Sequence, residues 1–204
     1  MNGTLYGIDT SDDTVYFIDP SSVVSGRVAG RAIGTLPSTL TGPNGAATHS
    51  GTAYIADQGQ LLQTNDQALW SVDPTSVSGG VVSATRIGSL PSGLVRPGGL
   101  ASLGERLFAI NQPDLALWEI TPGTVTSGLV QAARLGTLRI SSGQSLAMAG
   151  FGGALYVADY VNDELWSVNP DVLFSIGGER FVSATRIGSF PSGLTFPESM
   201  VSHG

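Results

Sequence analysis

The chain repeats itself four times, and this repetition constrains its fold more than any other feature. Each copy carries the same markers in the same order, at intervals of roughly 50 residues. The first aromatic marker is Tyr6, Tyr54, Phe108 and Tyr156, and the second is Tyr16, Trp70, Trp118 and Trp166. A glycine series follows at Gly34, Gly88, Gly136 and Gly188. The markers indicate four copies of one structural unit.

Each copy contains short runs of β-forming residues separated by turn residues. In the last copy, ALYVAD and ELWSVNP flank a turn, and SATRIGSF follows what we predict to be a longer polar loop. The 28 glycines and 11 prolines show no three-residue period, which indicates many tight turns. The predicted fold class is therefore all-β, and the segment PDVLFSI is the one weak candidate for a helix.

The repeat has the size of a β-propeller blade, which is a four-stranded antiparallel sheet. We predict one domain over residues 1–204, a four-bladed β-propeller with repeats at about 2–50, 51–104, 105–152 and 153–204. The second aromatic marker is expected to fill the space between adjoining sheets. The short first strands are expected to line a narrow channel through their small residues, which are Ala47, Ala101, Ala147 and Val201.

The two ends of the chain predict how such a ring closes. The chain starts on the second strand of a repeat and ends on the first strand of one. Residues 198–203 would then pair beside residues 3–9 in one sheet and remove the open edges. A closed monomer is the favoured prediction. The alternative is a piece of a longer repeat array, in which two chains close as eight blades.

Two stretches, GLASLGERLFAIN at 99–111 and GALYVADYVNDELWSVNP at 153–170, resemble the blade signature of NHL-like and SGL-like propellers. The resemblance covers the whole chain as four imperfect copies. It implies a propeller fold but no single function, because enzymes, lectins and scaffolds share this signature. The chain departs from these six-bladed families in having four repeats, which are also longer.

Composition excludes several classes of function. The net charge is −7 and the chain contains no lysine or cysteine, so Schiff-base, Walker-lysine and thiol chemistry are impossible. Its arginines are widely spaced and form no basic face, so we expect no nucleic-acid partner. No apolar run is long enough to span a membrane, and no signal peptide is visible. The compartment is left open, and an extracellular origin is compatible with the composition.

One set of polar residues closes the second strand of each repeat: Asp9, Asp57, Asn111 and Asp159. Rotation about a common axis would bring three carboxylates and one amide together. Oxygen ligands of this kind suit Ca²⁺ or another divalent cation, with Asp9, Asp57 and Asp159 as metal ligands. The alternative is that each residue caps the turn after its strand, in which case no cofactor is required.

The two histidines occupy equivalent places in their repeats. His49 lies in THSG and His203 in VSHG, while Leu103 and Ala149 are taken as the residues at this place in the other copies. Two imidazoles on adjacent blades could share a metal ion or a proton, but no HxH or HExxH spacing is present. A polar turn residue is the favoured interpretation.

These observations favour a non-catalytic binding or scaffolding module that recognises a protein, a glycan or a small ligand through its loop faces. The segments 21–30, 59–64 and 171–182 differ most between repeats and are the expected points of contact. No catalytic residue is assigned. One alternative is a divalent-metal-dependent hydrolase of the lactonase or esterase type. The other is a structural repeat fragment that self-assembles.

Overall fold

The structure of the protein is a computed structural model that describes residues 5–24, 27–59, 66–140 and 146–191. These residues form 15 β-strands, and no helix occurs among them. The strands are β1 (Leu5–Asp9), β2 (Thr14–Val24), β3 (Arg27–Thr35), β4 (Pro43–His49), β5 (Thr52–Asp57), β6 (Ala68–Ser78), β7 (Val81–Ser89), β8 (Pro97–Leu103), β9 (Arg106–Asn111), β10 (Ala116–Thr126), β11 (Leu129–Leu138), β12 (Leu146–Phe151), β13 (Ala154–Asp159), β14 (Glu164–Ile176) and β15 (Glu179–Ser189). The all-β prediction is confirmed. Within the described ranges, no helix is long and apolar enough to cross a membrane.

The strands pair in four antiparallel groups that follow the repeats of the sequence. We call β1–β3 the first sheet, β4–β7 the second, β8–β11 the third and β12–β15 the fourth. Successive strands pair antiparallel within each group, because short hairpin connections join them. The predicted strand at 198–203, which would complete the first sheet, lies outside the described residues.

The last two strands of each sheet, which are the third and fourth strands of a repeat, form a longer hairpin than the sequence predicts. The segment PDVLFSI, the candidate helix, is part of β14 and pairs with β15. The predicted polar loop after it is likewise a hairpin, with Gly177 and Gly178 at its tip. Both glycines have positive φ, 61° and 88°, which suits a tight two-residue turn that matches the strand twist. The prediction of a polar loop is wrong, and the weak helix candidate is an exposed strand.

A proline in each of β2, β6, β10 and β14 marks a bulge rather than the end of the strand. The register shifts between Asp19 and Val23, and again between Asp73 and Val77. Proline cannot donate to the ladder of hydrogen bonds, so the pairing is interrupted there and resumes beyond it. The same shift occurs in the third and fourth sheets. Segment 171–182 is therefore hairpin and not loop.

Buried hydrophobic side chains lie at three junctions between consecutive sheets. We call them the first junction (first and second sheets), the second junction (second and third sheets) and the third junction (third and fourth sheets). The second aromatic marker contributes as predicted: Trp70 packs at the first junction, Trp118 at the second and Trp166 at the third. Tyr16 holds the same place in the first sheet but lies on its outer side, away from the first junction.

The first strands β4, β8 and β12 pack side by side, and glycines permit the close approach. A Cβ on Gly45 would lie 2.8 Å from the backbone nitrogen of Leu100. The registers correct one predicted equivalence. Ala47 pairs with Tyr54 and Ala101 with Phe108, but Tyr156 pairs with Ala149 and not with Ala147. The predicted match was displaced by two residues, because SLAMAG offers two alanines in a run of small side chains.

Candidate functional site

At one end of each four-stranded sheet, the first and third strands begin and the second and fourth strands end. In the second sheet Pro43 opens β4 and pairs with Asp57 at the end of β5, and Asp57 pairs with Ala68 at the start of β6. Ala68 in turn pairs with Ser89 at the end of β7. The connections between second and third strands and between consecutive sheets therefore lie at this end. We define the loop face as residues 36–42, 58–59, 90–96 and 112–114.

Asp57 anchors two loops of this face. Its side chain is only 2% exposed. Oδ1 accepts hydrogen bonds from the backbone nitrogens of Gly42, at 2.8 Å, and Gly59, at 2.9 Å, and Oδ2 accepts one from Thr41 at 3.3 Å. Hydrogen bonds to an ionised acceptor are stronger than neutral ones, so the carboxylate fixes both loops against the end of β5.

Asn111 performs the same task at the next sheet, and the change from carboxylate to amide has a physical reason. Its Oδ1 accepts from the backbone nitrogens of Val95 and Arg96, both at 3.1 Å. Its Nδ2 donates to the backbone oxygen of Gly93 at 3.1 Å and to Asp114 Oδ1 at 2.6 Å. A carboxylate has no N–H to donate to that backbone oxygen, whereas the amide satisfies both partners.

The two outer members of the set bind the turn that follows their own strand. Asp159 is fully buried and accepts hydrogen bonds from the backbone nitrogens of Val161 and Asn162 and from Asn162 Nδ2. Asp9 is exposed and accepts bonds from Ser11, through its hydroxyl at 2.7 Å and its backbone nitrogen at 3.0 Å. The bond from the Ser11 hydroxyl, more than that from its backbone nitrogen, lowers the pKa of Asp9.

The set therefore forms turn and loop anchors in its described surroundings. Within the described ranges, no group of three His, Cys, Asp or Glu side chains is close enough to hold a metal ion. The structure thus does not bring Asp9, Asp57 and Asp159 together as a shared ligand set. Backbone and side-chain donors bind both carboxylate oxygens of Asp57 and Asp159, and Oδ1 of Asp9.

The sequence segments LPSTLTGP and LPSGLVRP build the loop face, and their repetition was the signal that the sequence analysis missed. In each, a turn forms by donation from the backbone nitrogen of Leu40 to Pro37 O, or of Leu94 to Pro91 O. Both leucines are 0% exposed and pack at the first and second junctions. Each loop is thus fixed in two ways: its leucine packs in a junction, and its backbone nitrogens bind Asp57 or Asn111.

His49 lies at the other end of the second sheet, near the tip of the β4–β5 hairpin. Its Nδ1 is 3.1 Å from Ser102 Oγ on β8, and its ring lies against that of Tyr54. The contact links the second and third sheets. The structural equivalent of His49 in the fourth sheet is Phe151, not Ala149, because Phe151 pairs with Ala154 as His49 pairs with Thr52. His203 lies outside the described residues.

An ion-pair cluster between the third and fourth sheets was not predicted. Arg106 binds Glu119 in a bidentate pair, and its third nitrogen lies 2.6 Å from Asp171 on β14. Its guanidinium also lies 4.7 Å from the ring centre of Phe108. These bonds, the one to Glu119 above all, raise the pKa of Arg106. The cluster links the third and fourth sheets, because Arg106 and Glu119 belong to the third sheet and Asp171 to the fourth.

A shallow groove of about 540 Å³ lies on the outer side of the first sheet, at the free end of the row of sheets. Its lining includes Gly7, Asp9, Tyr16, Ile18 and Val28. Apart from Asp9, these residues are apolar or aromatic, and nothing in the groove resembles a catalytic arrangement. Apart from Asp9, these residues correspond to positions that are packed between sheets in the other repeats.

No protein-family model matches the chain, and no curated protein matches its sequence. Solved structures do share its fold. A chain of the nidogen–laminin complex is 15% identical, with a match that covers 97% of this chain and 65% of that one at a TM-score of 0.53. A protein of unknown function from Bacteroides thetaiotaomicron is 14% identical over 84% of this chain and 41% of that one, at a TM-score of 0.52.

The chain has a β-propeller-like fold. A catalytically inactive virginiamycin B lyase from Staphylococcus aureus, solved with quinupristin, is also similar: it is 14% identical over 100% of this chain and 58% of that one, at a TM-score of 0.49. The chain thus spans less than two thirds of the length of each of these propellers. Identity at this level shows the fold and leaves function to the site.

Proposed function

We propose that the chain is a non-catalytic binding or scaffolding module with NHL-like blades, which recognises a protein or glycan ligand through its loop face. The proposal includes the predicted organisation of residues 1–204 as one domain. Propellers with this fold serve both binding and enzymatic roles, so the fold alone does not decide between them.

The use of Asp57 and Asn111 supports binding over catalysis. A general acid, a base or a metal ligand must offer an atom to a substrate or ion. In this structure, the buried polar atoms hold five backbone nitrogens and one backbone oxygen of the loops. Such loops are ordered before a ligand arrives, and less free energy is then lost on binding.

The exposed side chains of the loop face suit polar recognition. Thr39, Thr41, Ser92 and Arg96 are exposed, while the leucines beneath them are buried. Hydroxyl groups and a guanidinium can donate hydrogen bonds to the oxygen atoms of a glycan or of a peptide backbone. The nidogen–laminin complex provides an example of a similar fold in a protein assembly.

A glycan array, followed by affinity measurement on any hit, tests the proposal. We expect Arg96→Ala to weaken binding on the order of tenfold, which corresponds to about 1.4 kcal/mol. Arg180→Ala is the matched control, because Arg180 is also an exposed arginine but lies at the opposite hairpin end of the fourth sheet. Equal loss of binding in both variants would contradict recognition through the loop face.

A further inference from the structure

In the second, third and fourth sheets, the hairpin formed by the last two strands docks on the last strand of the preceding sheet. The backbone nitrogen of Thr35 donates to Gly80 O at 2.9 Å, and that of Ser89 donates to Gly128 O at 2.8 Å. The glycine marker makes room for this contact. A Cβ on Gly88 would lie 2.8 Å from Gly128 O, and one on Gly136 would lie 2.9 Å from Arg180 O.

The fourth sheet has the same receiving site, and no hairpin of the described residues lies on it. Gly188 is the fourth member of the glycine marker, within RIGSF, and is equivalent to Gly88 within RIGSL. Among the described residues, no atom lies within 4 Å of the place where its Cβ would be. A site that needs glycine at three junctions is thus also present at the end of the row, where nothing in the described chain fills it.

The side chains of this free end also match those of the junctions. Ile33, Ile87 and Leu135 are partly buried against the junction clusters, whereas their equivalent Ile187 is 54% exposed. Leu69 and Leu117 are fully buried, and their equivalent Leu165 is only partly so. We call this surface the tail face.

The first sheet presents the complementary surface. Val82, Val130 and Val182 are each 0% exposed at a junction, while their equivalent Val28 is 52% exposed. Tyr16, the equivalent of Trp70, Trp118 and Trp166, lines the open groove beside Val28 with Ile18 and Gly30. We call this surface the head face. It carries the residue types that pack against a preceding sheet at every junction.

We infer that the head face of one copy docks on the tail face of a second copy, so that two chains join head to tail. The repeat supplies the reason: each junction within the chain is already a head face against a tail face. In the proposed pair, two such contacts bury both end faces of both copies; a head-to-tail contact whose rotation does not close would give longer assemblies instead. The two acidic chains meet through apolar residues such as Val28 and Ile187, so the hydrophobic effect drives the contact.

The described residues of one chain do not bring its two end faces together. Among the described residues, no buried cluster and no strand pairing joins the fourth sheet to the first.

Native mass spectrometry and light scattering over a range of protein concentrations test the inference. We expect a dimer whose dissociation constant rises on the order of tenfold or more in Val28→Asp and in Gly188→Leu. Val161→Asp and Gly123→Leu are matched controls, because Val161 is 55% exposed and Gly123 has open space around it, and neither belongs to an end face. Circular dichroism establishes that each variant is folded.

A mixture of the two variants distinguishes this geometry from other dimers. Each variant alone has a damaged residue at both head-to-tail contacts. A mixed pair has one contact with both substitutions and one contact with none, so we expect the mixed dimer to form more readily than either parent dimer. The two variants differ in mass, and the mixed species is counted directly.

Three results would overturn the inference. The first is a monomer at all concentrations, and the second is a dimer unaffected by both face substitutions. The third is a monomer whose melting temperature falls in Val28→Asp without any concentration dependence, which would show that the chain closes on itself. None of these depends on ligand binding by the loop face, so failure here and failure of the proposed function are separate outcomes.

Discussion

The interior junctions and the two end faces carry the same residues in different surroundings. Leu117 is fully buried at the third junction, while its equivalent Leu165 is partly exposed on the tail face. Gly136 accommodates a neighbouring hairpin, while Gly188 faces open space in the described part of the chain. A repeat protein is stabilised by its internal contacts and by its nearest-neighbour interfaces, so equivalent positions differ in energy according to the neighbour present.

The largest expected difference concerns the buried leucines. Leu117→Ala should lower the free energy of unfolding by about 2–5 kcal/mol, because it removes buried methyl groups and leaves a cavity. Leu165→Ala should cost less within a single chain, because the side chain is already partly exposed. Chemical denaturation of both variants measures the contrast.

Protein concentration sharpens this contrast. If the tail face docks on a second copy, the cost of Leu165→Ala grows with concentration, whereas that of Leu117→Ala does not. Equal costs at every concentration would show that the two positions have the same surroundings in solution.

The second contrast concerns two members of one polar set. Asp57→Ala leaves backbone nitrogens at Thr41, Gly42 and Gly59 without their acceptor, and we expect a loss of about 3 kcal/mol of stability. Asp9→Ala should have a much smaller effect, because Asp9 is exposed and its hydrogen bonds within the described residues come from Ser11. Thermal unfolding compares them, and a larger effect at Asp9 would contradict the role of Asp57 as loop anchor.

The pH dependence of Asp9 has a definite sign. Its folded pKa is lowered by the Ser11 hydrogen bonds, so its contribution is present above the ordinary pKa of 3.8 and is lost as the pH falls through the folded pKa. The free energy of unfolding of Asp9→Asn should therefore be lower than that of the parent chain at neutral pH, and the two values should converge in strong acid.

The third contrast uses the glycine marker. Gly88→Ala forces a Cβ to within 2.8 Å of Gly128 O, so the hairpin must move, and we expect a loss of about 1–3 kcal/mol. Gly188→Ala meets no described atom and should be neutral or slightly stabilising, because alanine restricts the unfolded chain more than glycine does. Denaturant titration of both variants, below the concentration at which chains associate, provides the measurement.

The sequence was sufficient for the fold class and for the packing of its aromatic marker. Trp70, Trp118 and Trp166 pack at successive junctions, because a large apolar ring recurring once per repeat has few other places to go. The hairpin beyond Pro170 was not predictable in this way, since its apolar residues are exposed and follow no buried alternation. The surroundings of Leu165 were also beyond reach, because a repeat looks the same whether or not a neighbour covers it.

The anchoring role of Asp57 lay between these cases. The residue type indicated either a turn cap or a metal ligand, and only the positions of the loop nitrogens distinguish the two. The loop segments 36–43 and 90–97 share a sequence pattern that could have directed attention to them. The groups that Asp57 and Asn111 bind are mainly backbone nitrogens of these loops, and residue types alone do not show where those nitrogens lie.

The smallest expected effect distinguishes the first sheet from the fourth at one turn. Asp13 and Asp163 occupy equivalent positions with φ of 58° and 53°, and each accepts a backbone hydrogen bond, from Leu36 and from Phe190. Desolvation, followed by the charges of Asp12 and Asp57, raises the pKa of Asp13. Asn tolerates positive φ, so Asp13→Asn removes the charge and keeps the turn.

An acid with a raised folded pKa destabilises the fold when it is ionised. The penalty is full above the folded pKa and disappears as the pH falls below the ordinary value of 3.8, where the group is neutral in both states. Asp13→Asn should therefore raise the stability at pH 7 by up to about 0.5 kcal/mol, after solvent screening, and leave it unchanged in strong acid. Asp163→Asn is the control at the equivalent turn, and thermal unfolding at the two pH values measures both variants. A larger gain at Asp163 than at Asp13 would show that the charges near Asp57 do not set this difference between the sheets.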